Sequence, residues 1–404
     1  MEIAIAAIFA IVLIVVLAAL VQFARNALLP AKPVVITVNG ARRVEGSTNL
    51  KLLDVLNADG IAVPSACAGA GTCGLCRVKV AGGGNLLPTE TALLSREEAK
   101  SGMRLACQVV VRSALDVTVS DEILGVTAFD CTVASTKSLT PLIKEIVLAV
   151  PPGTPFAFRA GGFVQVTAPP YRLDYSTIPI DAAHEAQWER LGLRRLAAHS
   201  DKPAARAYSV ASRPQDKGQI VLNIRLATPP PARPGVPPGI VSSWLFNLKA
   251  GDTVPISGPY GHFGASDSDR EMVFIGGGVG MAPLRAIIHD ELENKRSGCR
   301  ISFWYGARSR VELFYVDEFE DLARRHAGFR WIPALSEPAA GDNWNGEQGF
   351  IHDVVFRAYL QDHPAPEDLE YYLCGPPLMI EAVYAMLDSC GVDRGSIFND
   401  DFGI

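Results

Sequence analysis

Hydrophobic and polar positions fall into four successive patterns along the 404-residue chain, and each predicts a different kind of element. From Ile3 to Ala24 the run IAIAAIFAIVLIVVLAALVQFA carries no charge. At about 1.5 Å per helical residue it matches the ~30 Å hydrocarbon core of a bilayer. A single transmembrane helix is expected, within an anchor segment 1–32. A cleaved signal peptide, the alternative, wants a basic start and a shorter apolar core, whereas this chain opens Met1-Glu2. Arg25, Lys32, Arg42 and Arg43 follow the span, so the positive-inside bias puts the body of the protein on the cytoplasmic side.

Over residues 33–125, VVITVNGARRVEG gives two short strand patterns around Asn39-Gly40, a strong hairpin signal. Thr48 stands where it can cap a helix carrying Leu52, Leu53 and Leu56, with Gly60 ending it. A glycine-rich loop, the strand-like LCRVKVAGG, a polar helix around Ser95 to Ser101 and the run MRLACQVVV complete a small α+β domain. Over 126–265 the pattern becomes short strands: CTVASTKS, LIKEIVLAV, FVQVTAP, ARAYSVAS, QIVLNIRLAT and DTVPISGPYG. Such spacing predicts an antiparallel β-barrel. An insertion at 171–202 interrupts it, and TPPPARPGVPPG must be a stiff loop. Over 266–404 strand and helix patterns alternate, from EMVFIGGG and APLRAIIHDELENK to EYYLCG and the helix after Pro377. That order predicts an α/β domain with a parallel sheet covered on both faces. The expected architecture is therefore multidomain.

Charge removes one class of function. A formal net charge of −6 and a pI near 5.7 are unlike a nucleic-acid binder, which carries a basic stripe. Cysteine usage adds a class. Of eight cysteines, Cys67, Cys73 and Cys76 share one loop of mostly Ala and Gly, and with Cys107 they read C-x5-C-x2-C...C. Four thiolates can hold a 2Fe-2S cluster. Bare backbone can curl round such a cluster, adopt φ > 0 and aim N–H groups at the sulfurs. Zinc, which prefers paired C-x2-C knuckles, disulfides, which suit an oxidising compartment, and incidental free thiols are the alternatives.

Three further stretches carry chemistry. Arg206-Ala207-Tyr208-Ser209 lies on a barrel strand; an Arg can pair with a pyrophosphate, a Tyr can lie against a flavin ring and a Ser can bond a ring nitrogen. Alone, the motif reads more readily as an ordinary surface strand. Gly239-Ile240-Val241-Ser242-Ser243 opens a helix, where free amides and a capping Ser suit a pyrophosphate. Gly276-Gly277-Gly278-Val279-Gly280-Met281-Ala282-Pro283 joins a strand to a helix and lets a dinucleotide approach the backbone, with Pro283 in the first helical turn. Cys374-Gly375-Pro376-Pro377 comes off a strand at the edge where open α/β sheets bind ligands; Cys374 reads equally well as a buried thiol.

With Leu105-Ala106-Cys107-Gln108, the cysteine loop resembles 2Fe-2S ferredoxin domains, its five-residue first gap being that of adrenodoxin-like members. The balanced charge of that domain, nine acidic against nine basic residues between Pro33 and Gly125, fits a tethered relay. R-x-Y-S, G-x-x-S-S, G-G-G-x-G-x-A-P and C-G-P-P, in that order over 126–404, resemble the ferredoxin-NADP reductase superfamily. This resemblance implies that Arg206, Tyr208 and Ser209 hold FAD and that Gly239, Ser242 and Ser243 bind its phosphates. It implies that Gly276, Gly277, Gly278, Gly280, Pro283 and Gly375 form the pyridine-nucleotide site. Cys374 and Ser209 would lie where hydride is transferred, and Phe402 would shield the flavin until NADH displaces it. Ser336 is followed by Glu337, where NADP-using relatives carry Arg, so NADH is the expected cofactor.

The chain as a whole, from the anchor through the cysteine spacing and the insertion to Asp400-Asp401-Phe402-Gly403, resembles the F subunits of Na+-translocating NADH:quinone reductases as a family. The resemblance implies a single-pass oxidoreductase of the bacterial inner membrane. Hydride would pass from NADH to FAD, and single electrons would leave through the 2Fe-2S cluster to the other subunits and finally ubiquinone. Sodium would move elsewhere, since the span carries no charge for an ion path. A membrane-anchored NADH-dependent reductase serving an oxygenase or other acceptor is the alternative, and a redox-sensing module without turnover a third reading.

Overall fold

Asn39 and Gly40 both take left-handed backbone, φ 50° and 70°, and so close the predicted hairpin between β1 (Pro33–Val38) and β2 (Arg42–Ser47). The computed structural model describes residues 12–18, 20, 30–67, 69–230, 232–233, 235–261, 263–296 and 298–400, the side chain of Glu122 excepted. It divides into two units, residues 1–63 with 69–125 and residues 64–68 with 126–404. Residues 12–18 and 20 are helical, and the rest of the expected span lies outside the described residues. Among the described residues no helix is long and apolar enough to cross a membrane.

In the first unit, β3 (Arg77–Ala81), β4 (Met103–Leu105) and β5 (Leu115–Thr118) join the hairpin in a mixed sheet of order β2-β1-β5-β3-β4. Helix α1 (Leu52–Ala58) lays Leu52, Leu53, Val55 and Leu56 into a core shared with Ile36, Val38, Val78 and Leu105. Thr48 does not cap it. Backbone pairing of Asn49 and Leu50 with Val111, and a bridge from Lys51 to Val110, hold the chain extended until Leu52. The Thr48 hydroxyl instead donates to Pro30 O and accepts from the Lys32 N–H. Short helices α2 (Pro88–Thr91), α3 (Arg96–Lys100) and α4 (Asp121–Leu124) follow. Ser95 and Glu98 cap α3 reciprocally, Ser95 Oγ accepting from Glu98 N–H and Glu98 Oε2 from Ser95 N–H.

The second unit begins with β6 (Thr127–Thr140), β7 (Ile143–Ala149) and β8 (Phe163–Ala168). The insertion folds as its own antiparallel pair, β9 (Tyr171–Asp174) and β10 (Ala197–Ser200), around helix α5 (Ala182–Arg190). Its Trp188 and Leu193 pack into the barrel core. With β11 (Ala204–Ser209), β12 (Gln219–Arg225) and β13 (Thr253–Tyr260), the large antiparallel sheet runs β11-β8-β13-β6-β7-β12. A bridge between Val210 and Leu222 brings the two edge strands together, and helix α6 (Ile240–Phe246) plugs one side with Val241, Leu245 and Phe246.

After it come β14 (Met272–Gly277), α7 (Met281–His289), β15 (Ile301–Ala307), α8 (Val316–Arg325), β16 (Phe329–Leu335), β17 (Glu347–Gln348), α9 (Ile351–Val355), β18 (Glu370–Cys374), α10 (Pro377–Ser389) and β19 (Ile397–Asp400). All six strands are parallel, in the order β17-β16-β15-β14-β18-β19. Successive residues point to opposite faces. Phe274 and Phe303 therefore meet Leu284 and Phe319 of α7 and α8, while Val273, Ile275 and Trp304 meet Val354 and Val383 of α9 and α10.

Candidate functional site

Three left-handed glycines shape the cysteine loop of the first unit: Gly69 (φ 79°), Gly71 (φ 81°) and Gly74 (φ 67°). A Cβ on Gly71 would meet the Gln108 amide at 2.5 Å, so this position needs both the conformation and the missing side chain. Side chains from outside then fix the curl. Lys51 Nζ donates to Gly69 O at 2.7 Å, and Arg77 Nε to Gly74 O at 2.9 Å. Gln108 Nε2 lies 3.3 Å from Cys107 Sγ. Cys76 and Cys107 are buried, each 1% exposed. The Cys76 thiol is pushed far up, first by its hydrogen bond with Cys107, then by burial, with Cys73 adding to it.

Two thiols in contact in an apolar pocket resist ionising together unless positive charge comes between them. That donor chemistry fits a metal cluster. Among the described residues no three Cys, His, Asp or Glu side chains converge on one point as a cage for a single ion; a 2Fe-2S cluster asks for two ligands on each of two irons. Behind the loop, Arg104 forks onto Glu90 (2.8 and 2.7 Å) and donates to the carbonyls of Gly83, Gly84 and Asn85.

In the second unit one cavity of about 1010 Å³ runs along the carboxyl ends of β14 and β15 and across the barrel face. It is large enough for a dinucleotide-sized ligand. Arg206, Ala207, Tyr208 and Ser209 line it from β11, and Gly239 and Ser242 from the start of α6. Gly277, Gly278, Gly375, Pro376 and Ser336 line it from the parallel sheet. Burial pushes the Tyr208 phenol above its ordinary value, against the pull of Arg206. Gly278 (φ 56°) has nothing within 4 Å of its would-be Cβ, so this turn is open to a ligand. The buried Tyr305 donates to Gly278 O at 2.9 Å and fixes it.

Other named residues stand behind that lining. A Cβ on Gly280 would fall 1.9 Å from Cys374 O, and one on Gly276 2.8 Å from Leu284; both glycines let α7 pack tightly onto the sheet. Pro283 is buried in the first turn of α7. Glu337 follows the lining residue Ser336, its N–H bonded to Arg308 O. The Ser243 hydroxyl is fully buried; it donates to Gly239 O and accepts from Tyr175 of the insertion at 2.6 Å. Tyr171, also of the insertion, donates to Ile240 O. The insertion thus braces the turn that starts α6. Phe402 lies outside the described residues.

Sequence reasoning assigned no role to Asp400, Asn223, Arg285 or His289. Asp400, at the end of β19, accepts from Ser209 Oγ at 2.9 Å, and its carbonyl lies 3.5 Å from Cys374 Sγ. This joins two of the proposed hydride-site residues. The sequence marked Asp400 only as the first residue of the Asp400-Asp401-Phe402-Gly403 end, with no partner assigned. Asn223, buried on the cavity wall, donates to Tyr315 Oη at 2.8 Å, and Tyr315 donates to Glu145 at 2.5 Å. Arg285 grips Glu318 and donates to Ala211 O, while His289 sits between Glu293 (2.8 Å) and Glu318 (2.5 Å). Burial pushes Glu293 up, but hydrogen bonds from His289, Arg213 and Arg325 outweigh it and bring the carboxyl down to about 2. These contacts lock barrel and parallel sheet together around the cavity.

The family model of the oxidoreductase NAD-binding domain matches residues 274–385, that of the oxidoreductase FAD-binding domain 193–264, and that of the 2Fe-2S iron-sulfur cluster binding domain 36–112. Among solved structures the chain is similar to an Amycolatopsis cytochrome P450 reductase, at TM-score 0.62 and 26% identity, covering 91% of this chain and 98% of that one. It is also similar to the ferredoxin reductase of carbazole 1,9a-dioxygenase, at TM-score 0.60 and 25% identity, covering 92% and 99%. The F subunit of the Na(+)-translocating NADH-quinone reductase of Neisseria meningitidis serogroup B is 47% identical over the full length of both chains. That of Actinobacillus succinogenes is 48% identical, over 97% of this chain and 96% of its own. With the ferredoxin-like unit, the antiparallel barrel and the parallel sheet all in place, the chain belongs to the family of F subunits of Na+-translocating NADH-quinone reductases.

Proposed function

We propose that this chain is the NADH-oxidising, electron-entry subunit of a membrane Na+-translocating NADH:ubiquinone reductase. The observation that carries the reading is full-length likeness to the F subunits of these reductases at 46–48% identity, joined to a cavity lined by Arg206, Tyr208, Ser209 and the Gly277-Gly278 turn. FAD, when bound, supplies the chemistry that turns a hydride pair into single electrons, and a 2Fe-2S cluster accepts them singly.

The chain's own residues do the rest. Arg206 has a fork of N–H donors for a pyrophosphate, beside Gly239 and Ser242. Tyr208 offers an apolar ring with its phenol kept protonated, and Ser209 presents a hydroxyl to the flavin. Asp400 orients that hydroxyl and can hold or release a proton through it. Gly277, Gly278 and Gly375 would receive the nicotinamide dinucleotide, with the buried Cys374 one position before Gly375, and Gly276, Gly280 and Pro283 keep the turn in shape. Phe402 would shield the flavin until NADH displaces it. Glu337 favours NADH over its 2′-phosphorylated form. Cys67, Cys73, Cys76 and Cys107 hold the cluster, and the Lys51, Arg77 and Gln108 contacts keep their loop curled.

Residues 3–24 span the bacterial inner membrane once, with the body on the cytoplasmic side. Val12 to Leu17 expose an unbroken apolar surface, which suits lipid. Electrons leave to the other subunits and reach ubiquinone. Detergent extraction of the native protein tests this: the chain should bring several very hydrophobic subunits and NADH-driven quinone reduction with it. Isolation as a lone chain that reduces an oxygenase would sink the proposal.

A further inference from the structure

We propose that Glu312 restricts this site to NADH by occupying Arg308, a cation that stands where a 2′-phosphate would be bound. The inference rests on reading the cavity as a pyridine-nucleotide site, and it names the device that sets its specificity. In open α/β sheets the acidic residue or arginine that reads the adenosine ribose follows the glycine turn by some tens of residues, near the next strand's end. Here that strand is β15, which pairs in parallel with β14. Arg308 is the first residue after it, and Arg308 and Glu312 both line the cavity. Taken alone, Arg308 argues for NADPH.

Its partners reverse that argument. Arg308 Nη2 and Nε donate to Glu312 Oε1 at 2.5 and 3.0 Å, and its backbone N–H reaches Glu312 Oε2 at 3.3 Å. Glu337 N–H donates to Arg308 O at 2.7 Å, and the Glu337 carboxylate adds to the field on the guanidinium. The next cation, Arg310, is engaged with Asp342 O at 2.8 Å. One guanidinium thus stands among two carboxylates. A 2′-phosphate would have to displace a bidentate partner and enter a region of negative sign; a ribose hydroxyl needs only an acceptor, which the carboxylates provide. Arg308 is 64% exposed and Glu312 24%, and exposed pairs at this spacing contribute little to stability. The pair can therefore be altered in a folded chain.

Calorimetric binding of AMP and of adenosine 2′,5′-bisphosphate to the full chain tests the proposal, because the two ligands differ only by the 2′-phosphate. Glu312→Gln should tighten the bisphosphate relative to AMP by about tenfold, or about 1.4 kcal/mol. The gain should shrink at high salt and vanish in Glu312→Gln/Arg308→Gln. The NADPH to NADH ratio of kcat/KM with an artificial acceptor should rise in parallel. An unchanged bisphosphate to AMP ratio in Glu312→Gln, or a gain that survives in the double variant, overturns the role of Glu312. If the unaltered chain binds neither nucleotide and NADH fails to reduce its flavin, the nucleotide reading falls, and this inference with it.

Discussion

Replacing Glu90 by Gln removes one charge from the ferredoxin-like unit and changes almost no volume, so its effect isolates electrostatics. Glu90 is fully buried and Arg104 is 5% exposed. The carboxylate takes two bonds from the guanidinium and one each from the N–H groups of Leu87 and Leu105. Breaking a buried pair from one side leaves the other charge uncompensated, at a cost of about 3–5 kcal/mol. A domain of this size is stable by only about 5–15 kcal/mol. With a urea dependence of about 1–3 kcal/mol per molar for small domains, the midpoint for loss of the cluster's visible absorbance should fall by about 2 M.

The pH profile gives a second reading of the same pair. Burial pushes the Glu90 carboxyl up, but Arg104 and the two amides outweigh it and hold it below its ordinary value. Its stabilisation is therefore complete above the unfolded carboxylate pKa and is lost as pH falls through the lower folded value. Glu90→Gln should flatten that acid limb. A midpoint shift under about 0.5 M for Glu90→Gln, far below the 3–5 kcal/mol range, would refute the reasoning.

Three further outcomes follow from named contacts. Lys144, 2% exposed, donates to Pro179 O and Phe246 O, and burial, opposed by Asp181, brings its amine down from 10.5 to about 8. Between those values the unfolded chain binds the extra proton, so stability should rise with pH by about 3 kcal/mol; urea midpoints of Lys144→Met should lack that rise. Arg206→Ala should purify with little FAD, read by absorbance after acid release, and full flavin content would count against its role. Asp400→Asn should keep FAD yet slow its reduction by NADH in stopped flow by at least about tenfold, with the pH dependence of the step altered; an unchanged rate would remove Asp400 from the site.

How far the sequence carries depends on the range of each interaction. Strand and helix periods, the Asn39-Gly40 turn and the βα alternation after 266 are local, and the structure has them. Thr48 misled because the extended pairing of Asn49 and Leu50 with Val111, some sixty positions away, overrides a local cap signal. The glycines of the 276–280 turn were legible as a group but not individually: only the packed structure separates Gly278, open to the cavity, from Gly280, pressed against Cys374. The roles of Asp400 and Asn223 were not legible because they come from partners nearly two hundred and about ninety residues away. The insertion's bracing of α6 through Tyr171 and Tyr175 has the same cause.

The central claim is that NADH electrons enter as a pair at the cavity of the barrel and parallel sheet and leave singly through a cluster held by Cys67, Cys73, Cys76 and Cys107. Anaerobic titration of the full chain with NADH, followed by visible and paramagnetic spectra, tests it directly. The unaltered protein should bleach its flavin and develop the signal of a reduced 2Fe-2S cluster. Cys76→Ala should bleach the flavin, take up one electron fewer and stay silent. A paramagnetic cluster signal of full size in Cys76→Ala, or a wild-type flavin that bleaches while the cluster stays oxidised, would contradict the account.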